Sequence, residues 1–162
     1  MVLVITLDQI ESATSIVYAE MQPTPQYCWP LLCENLGTEV WVKHENQTPI
    51  GSFKIRGGLV YFAHLAKYSE NPKRVVSATK GNHGQSVGFA ARRYGIPATI
   101  VVPHGNSIEK NNAMRSLGVN LLEHGDDFQS AREFAIKMAH ENSLKMIPSF
   151  DPLLVTGVAT YS

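Results

Sequence analysis

The chain has 162 residues, of which 44% are apolar and 17% charged, and Lys+Arg and Asp+Glu balance at 14 each. That is long enough for one domain with a hydrophobic core and too apolar for a disordered chain. A balanced chain projects no overall field, so neither nucleic acid nor an anionic membrane is expected as a partner.

No apolar stretch approaches the length of a membrane span. The opening Met1–Leu7 is apolar, but it has no basic region and no small-residue cleavage site, so it is not read as a signal peptide. A cytoplasmic setting is the expectation. Cys28 and Cys33 are the only cysteines. Two thiols are too few for a disulfide scaffold, and no second Cys or His pair sits at zinc spacing, so no metal site is expected. Both are read as reduced packing residues, with a redox role as the alternative.

In chain order, Thr6-Leu7-Asp8-Gln9 has the form of a capping box. Ile10, Ala13, Thr14, Val17 and Met21 recur on one helical face, which predicts a first helix from near Thr6. Pro23, Pro25 and Pro30 predict a loop, and Glu39–Glu45 alternates like a half-buried strand. The next helix is expected over Phe53–Lys67, with Ile55, Leu59, Phe62, Ala63 and Ala66 on one stripe. A strand follows at Arg74–Ala78, then a helix over Asn82–Tyr94 that ends at Gly95. Strand Ala98–Val102, a helix over Ile108–Leu117 stopped by Gly118, strand Val119–Glu123, a helix over Asp127–Glu141 and a short strand at Lys145–Ile147 complete the pattern. Strands alternating with helices predict an α/β fold: a parallel sheet with helices on both faces, three layers in all, joined by right-handed crossovers.

Two loop-to-helix junctions could carry chemistry. In Thr48-Pro49-Ile50-Gly51-Ser52-Phe53-Lys54-Ile55-Arg56-Gly57-Gly58 a lysine opens a helix between an aromatic and an aliphatic residue. Burial disfavours the charged ammonium, and a neutral amine can form a Schiff base with an aldehyde. The commoner fate of such a lysine is a packed stem with its amine in water. The second junction, Ser77-Ala78-Thr79-Lys80-Gly81-Asn82-His83-Gly84-Gln85-Ser86, runs from a strand end into a helix. Open α/β sheets bind ligands at that edge, and a helix N-terminus offers free N–H groups to a carboxylate or phosphate. The plain alternative is a turn capped by Asn82. A dinucleotide fingerprint fails on the spacing of Gly81, Gly84 and Gly88. His83 is placed to position Asn82. The other histidines (His44, His64, His104, His124 and His140) show no metal spacing and are read as surface or packing residues. Arg92-Arg93 and Lys73-Arg74 are read as solvated ends.

Taken in order, Thr24-Pro25, VWVKHEN at residues 40–46, GSFKIRGG at 51–58, GNHGQS at 81–86, YGIPATIVVP at 94–103 and EKNNAMRSLG at 109–118 resemble one family. They are similar to the fold-type II pyridoxal-phosphate enzymes of the threonine/serine dehydratase and serine racemase group, whose fold is tryptophan-synthase-β-like. The resemblance implies that Lys54 holds pyridoxal phosphate as a Schiff base and later takes the substrate α-proton. It implies that Phe53 packs beside the cofactor ring and that Asn82 bonds the ring 3-oxygen. Thr79, Lys80, Gly81, Asn82 and His83 would form the substrate-carboxylate loop. The substrate would be a small hydroxy amino acid such as L-threonine or L-serine, leaving as a 2-oxo acid and ammonia.

Two departures qualify the resemblance. Family members are longer, and their cofactor-phosphate loop, pyridine-nitrogen partner and cation ligands lie downstream. The chain is therefore read as an N-terminal part: residues 1–51 in a larger cofactor domain, 52–149 as a small α/β domain, and 150–162 returning to the larger one. Such a piece is expected to turn over poorly and to expose apolar surface that favours a homo-oligomer, dimer or higher. A non-catalytic binding domain is the alternative from another class. The second departure is Lys80, where the family has alanine or serine. A lysine there would act as a second acid/base, as in an amino-acid racemase, or would pair with an acidic substrate such as a hydroxyaspartate. The plain alternative is a solvated lysine.

Overall fold

A computed structural model describes residues 5–68 and 72–161. Helix α1 (Leu7–Tyr18) starts as its capping box predicts. The Thr6 hydroxyl accepts the Gln9 N–H, and the Gln9 side chain accepts the Thr6 N–H at 2.9 Å.

The proline-rich stretch read as a loop is instead structured. Strand β1 (Gln26–Cys28) pairs antiparallel with β2 (Trp41–Lys43), and helix α2 (Pro30–Leu36) sits between them. Pro30 occupies the first helical turn, where a missing N–H costs no hydrogen bond. Its presence therefore marks a helix start rather than a break.

The remaining elements alternate as expected: α3 (Lys54–Tyr68), β3 (Val75–Ala78), α4 (Asn82–Arg93), β4 (Ala98–Val102), α5 (Ile108–Ser116), β5 (Asn120–Glu123), α6 (Phe128–Glu141) and β6 (Lys145–Met146). The helix stops at Gly95 and Gly118 have φ of 66° and 85°, the left-handed region where glycine carries no Cβ penalty. One further helix, α7 (Pro152–Val158), lies where no element was expected; Asp151 caps it by accepting the Leu153 N–H at 2.9 Å.

The four later strands form one parallel sheet in the order β5-β4-β3-β6. Side chains alternate across it. Val75, Ile100 and Val102 face a core closed by α3, α4, α5 and α7, through Phe62, Val87, Ala90, Met114 and Leu154. Val76, Ala78 and Val101 face the other way, against Ala131, Ala135 and Ala139 of α6. The three alanines recur every fourth residue and let that helix lie close to the sheet. The sheet is thus covered on both faces, as the alternation predicted. A third cluster joins α1 to α3 through Ala13, Val17, Met21, Ile55, Leu59 and Val60. Among the described residues no helix is long and apolar enough to cross a membrane.

Candidate active site

Lys54 is the first residue of α3, and the turn before it is tied down locally. The Thr48 hydroxyl donates to the Ser52 carbonyl at 2.9 Å and accepts the Ser52 N–H at 2.8 Å. The Ser52 hydroxyl oxygen accepts the Lys54 N–H at 3.3 Å. The Lys54 ammonium nitrogen lies 5.4 Å from the centre of the Phe53 ring. It opens into a cavity of about 230 Å3 lined by Phe53, His83, Phe150, Leu154, Val155 and Val158 among others. These walls are mostly aromatic and aliphatic, which suits a flat, largely apolar group.

The second junction begins where β3 ends. The Thr79 N–H donates to the Val101 carbonyl at 3.0 Å, which continues the ladder one residue, and the Thr79 hydroxyl accepts the Gly81 N–H at 3.1 Å. Gly81, not Asn82, is the N-cap of α4, and no side chain caps that end. The first-turn N–H groups are therefore left free of a capping oxygen, which suits an incoming anion. Asn82 is exposed and belongs to the helix itself.

The two junctions are joined directly. The Ser86 hydroxyl of α4 donates to the Lys54 carbonyl at 2.5 Å. Gly58 makes the approach possible, because a Cβ there would meet the Ser86 hydroxyl and lie 2.9 Å from the Ser86 carbonyl oxygen. This bond fixes the spacing between the start of α3 and the start of α4.

His83 is 8% exposed, and its Nε2 is the one buried side-chain nitrogen or oxygen without a partner among the described residues. A buried unpaired polar atom costs about 1–3 kcal/mol, and the residue that carries this one lines the Lys54 cavity, so a ligand there is a candidate for the missing partner. Burial, and secondarily the Lys54 charge, push the imidazole down to about 4, so it is neutral near pH 7. His83 makes no hydrogen bond to Asn82, which it was placed to position; the imidazole is buried and Asn82 is exposed.

The depressed His83 value has a measurable consequence. The unfolded imidazole takes a proton below about 6.5 while the folded one does not until about 4. Stability from this group is complete above 6.5, falls as pH drops through that window, and levels off below about 4. Between pH 7 and pH 5 the chain is expected to lose about 2 kcal/mol more than a His83→Leu variant. Urea unfolding of the two proteins at both pH values checks it; equal losses would show that His83 titrates normally.

Of the residues singled out in the sequence, Phe53, Lys54 and His83 line one cavity. Thr79 and Gly81 are buried in the loop leading to it, and Lys80 is exposed outside the lining. The Asp127 carboxyl at the start of α6 is held below its ordinary range, chiefly by the Ser130 N–H and hydroxyl, with a smaller contribution from the Lys80 charge.

Sequence reasoning missed four supports of the site. Ser86 is one. Lys110 is another: its stem covers Gly81, and a Cβ at Gly81 would lie 2.7 Å from the Lys110 Cδ. The other two are Arg56, which is fully buried, and Glu45, whose carboxylate takes two bonds from the guanidinium at 2.8 and 2.9 Å. The Thr24 hydroxyl adds a third bond to Glu45 at 2.7 Å, and Arg56 also donates to the Tyr18 hydroxyl and the Thr160 carbonyl, each at 3.3 Å. Burial alone would raise the Glu45 carboxyl, but the bonds from Arg56 and Thr24 outweigh it and hold it below the usual carboxylate range. The pair knits α1, the segment before α3, α3 itself and the residues after α7 around Lys54.

Comparison with known proteins places this geometry. Residues 17–162 match the family described as pyridoxal-phosphate dependent enzymes. The chain is 34% identical over 155 residues to the biosynthetic L-threonine dehydratase of Haemophilus influenzae, covering 95% of this chain and 30% of that protein. It is 36% identical over 157 residues to the L-threonine ammonia-lyase of Thermotoga maritima, covering 96% of this chain and 39% of that one. A pyridoxal 5'-phosphate-dependent aspartate racemase superposes with a TM-score of 0.89 at 26% identity, over 94% of this chain and 48% of the racemase. The chain thus spans well under half the length of the curated relatives it matches and about half of the solved one. The match runs through both junctions and the whole parallel sheet, and the chain belongs to the pyridoxal-phosphate dependent enzyme family.

Proposed function

We propose that this chain supplies the Schiff-base lysine and the substrate-carboxylate loop of a pyridoxal-phosphate-dependent lyase. That lyase would act on a small hydroxy amino acid such as L-threonine or L-serine, releasing a 2-oxo acid and ammonia. The observation that carries the reading is the apolar cavity lined by both Lys54 and His83, the residue whose buried Nε2 has no partner. The named functions of the threonine dehydratase and ammonia-lyase relatives support the same reaction class.

The residues present fit the ring end of the cofactor: an amine at a helix start, an aromatic neighbour, apolar walls and one buried nitrogen free to bond. When bound, pyridoxal phosphate supplies the electron sink for the α-carbon. Lys54 anchors it and afterwards takes the α-proton at its Nζ. Phe53 flanks the ring, and Asn82 offers its side-chain amide to the ring 3-oxygen. The loop that carries Thr79, Gly81, Asn82 and His83 receives the substrate carboxylate, with the uncapped N–H groups of α4 as donors, while the exposed Lys80 side chain stays outside the cavity. Neutral His83 can donate or accept one bond without competing for the α-proton. Leu154, Val155 and Val158 of α7 give the cavity one apolar wall. The same reading keeps residues 52–149 as the small unit, since all four strands of the parallel sheet lie within it. A racemase reading would rest on Lys80 as a second acid/base. Exposed outside the cavity, with its field felt at Asp127, that residue lends the reading no support.

Incubating the purified chain with pyridoxal phosphate, reducing with borohydride and locating the modified lysine by mass tests the proposal. The label is expected on Lys54, and a Lys54→Met variant is expected to lose it. Labelling spread evenly over surface lysines would refute the assignment.

A further inference from the structure

The two cysteines are not separate packing residues. Their Sγ atoms lie 3.4 Å apart as free thiols, one donating to the other, and both are half-buried. Each is held by its backbone. Cys28 ends β1 in register with Trp41 of β2. Cys33 in α2 donates its N–H to the Trp29 carbonyl at 3.0 Å. Its carbonyl accepts from Thr38 at 3.3 Å, and its sulfur accepts the Val40 N–H at 3.2 Å. The contact is therefore built by the hairpin and does not arise from two mobile side chains meeting by chance.

A disulfide needs its sulfurs at about 2.0 Å, so the pair is about 1.4 Å short of bonding, a distance that small side-chain rotations can close. We propose that Cys28 and Cys33 form a thiol–disulfide modification site, closing to an intramolecular disulfide when a low-molecular-weight disulfide such as oxidised glutathione supplies the oxidising equivalents. The chemistry is two exchanges. One cysteine thiolate attacks a sulfur of the oxidant, forming a mixed disulfide and releasing one reduced thiol. The second cysteine then attacks the protein sulfur of that mixed disulfide and expels the other reduced thiol. Two protein thiols become one disulfide, the oxidant becomes two thiols, and each thiolate leaving group takes up the proton lost by its attacker.

The hydrogen bond to Cys33, with burial adding to it, holds the Cys28 thiol above its ordinary range. The bond formed would staple α2 to the β1–β2 hairpin, whose second strand leads into Glu45 and so into the Arg56 pair. This inference does not depend on the proposed lyase function.

The test equilibrates the folded chain with glutathione buffers of graded redox ratio, quenches with acid, alkylates free thiols and maps the products by mass. Cys28 and Cys33 are expected to disappear together, in a form two hydrogens lighter and free of glutathione. A thiol held in contact acts above the millimolar effective concentration of a flexible tether. Oxidation of the pair should therefore exceed that of the remaining cysteine in Cys28→Ser or Cys33→Ser by at least about tenfold. Glutathione adducts on either wild-type cysteine without the internal disulfide would overturn the proposal. So would thiols that stay alkylatable at ratios that oxidise the single variants. Equal disulfide formation in concentrated urea would also overturn it, since the folded geometry would then contribute nothing. The wild-type measurements decide the matter even if a variant fails to fold.

Discussion

Glu45→Ala is expected to destabilise the chain by about 3–5 kcal/mol, because it leaves a fully buried guanidinium without its carboxylate. Arg56→Met is expected to cost less, since Glu45 keeps the Thr24 bond and some access to water. The double variant should cost less than the sum of the two, with the difference giving the coupling between the charges. Urea midpoints of the four proteins measure it; strictly additive losses would mean the pair is not energetically coupled. The sign of the pH effect follows from the depressed Glu45 carboxyl. Its stabilisation is present above the unfolded carboxylate pKa and is lost as pH falls through the lower folded value. The Glu45→Ala variant should lack that part of the acid sensitivity.

The second large effect is expected at the crossing of α3 and α7. A Cβ at Gly57 would lie 2.6 Å from the Leu154 carbonyl oxygen. A Cβ at Gly157 would lie 2.7 Å from the Gly57 Cα and also meet the Arg56 carbonyl. Every obstacle is backbone, so neither helix can yield by turning a side chain. Gly157→Ala should therefore cost about 2 kcal/mol or more through overpacking. Helix propensity alone predicts a gain of about 1 kcal/mol for the same change. The sign of the stability change thus decides between the two, and a stabilised variant would disprove the close crossing. A shift of this crossing would also move Leu154, Val155 and Val158, which wall the Lys54 cavity.

The parts of this structure that could be read in advance were those with a local cause. The capping box at Thr6, the glycine stops at 95 and 118 and the alternating apolar runs all act within a few residues, and each element they predicted is present. The positions of Lys54 at the start of α3 and of the junction into α4 follow from the same local signals, whereas the role of Lys54 rests on the family resemblance. Helices α2 and α7 were missed although their signals were present. Pro30 and Pro152 sit at first-turn positions, and Asp151 is a cap. Pro30, which reads as a breaker in sequence, is a helix starter here. The Arg56–Glu45 pair, the Ser86 bond to the Lys54 carbonyl and the facing cysteines could not be found this way. Each partner reads as ordinary in sequence, and only the packing of α1, α3, α4 and the hairpin brings them together.

The hairpin that carries the cysteines also holds both tryptophans of the chain, Trp29 and Trp41, each largely exposed, while the parallel sheet and its covering helices hold none. Intrinsic fluorescence is therefore a local optical reporter of the hairpin, and far-ultraviolet dichroism, dominated by the longer helices, reports the body. Followed side by side during heating, the two signals separate the opening of one from the melting of the other without any added label.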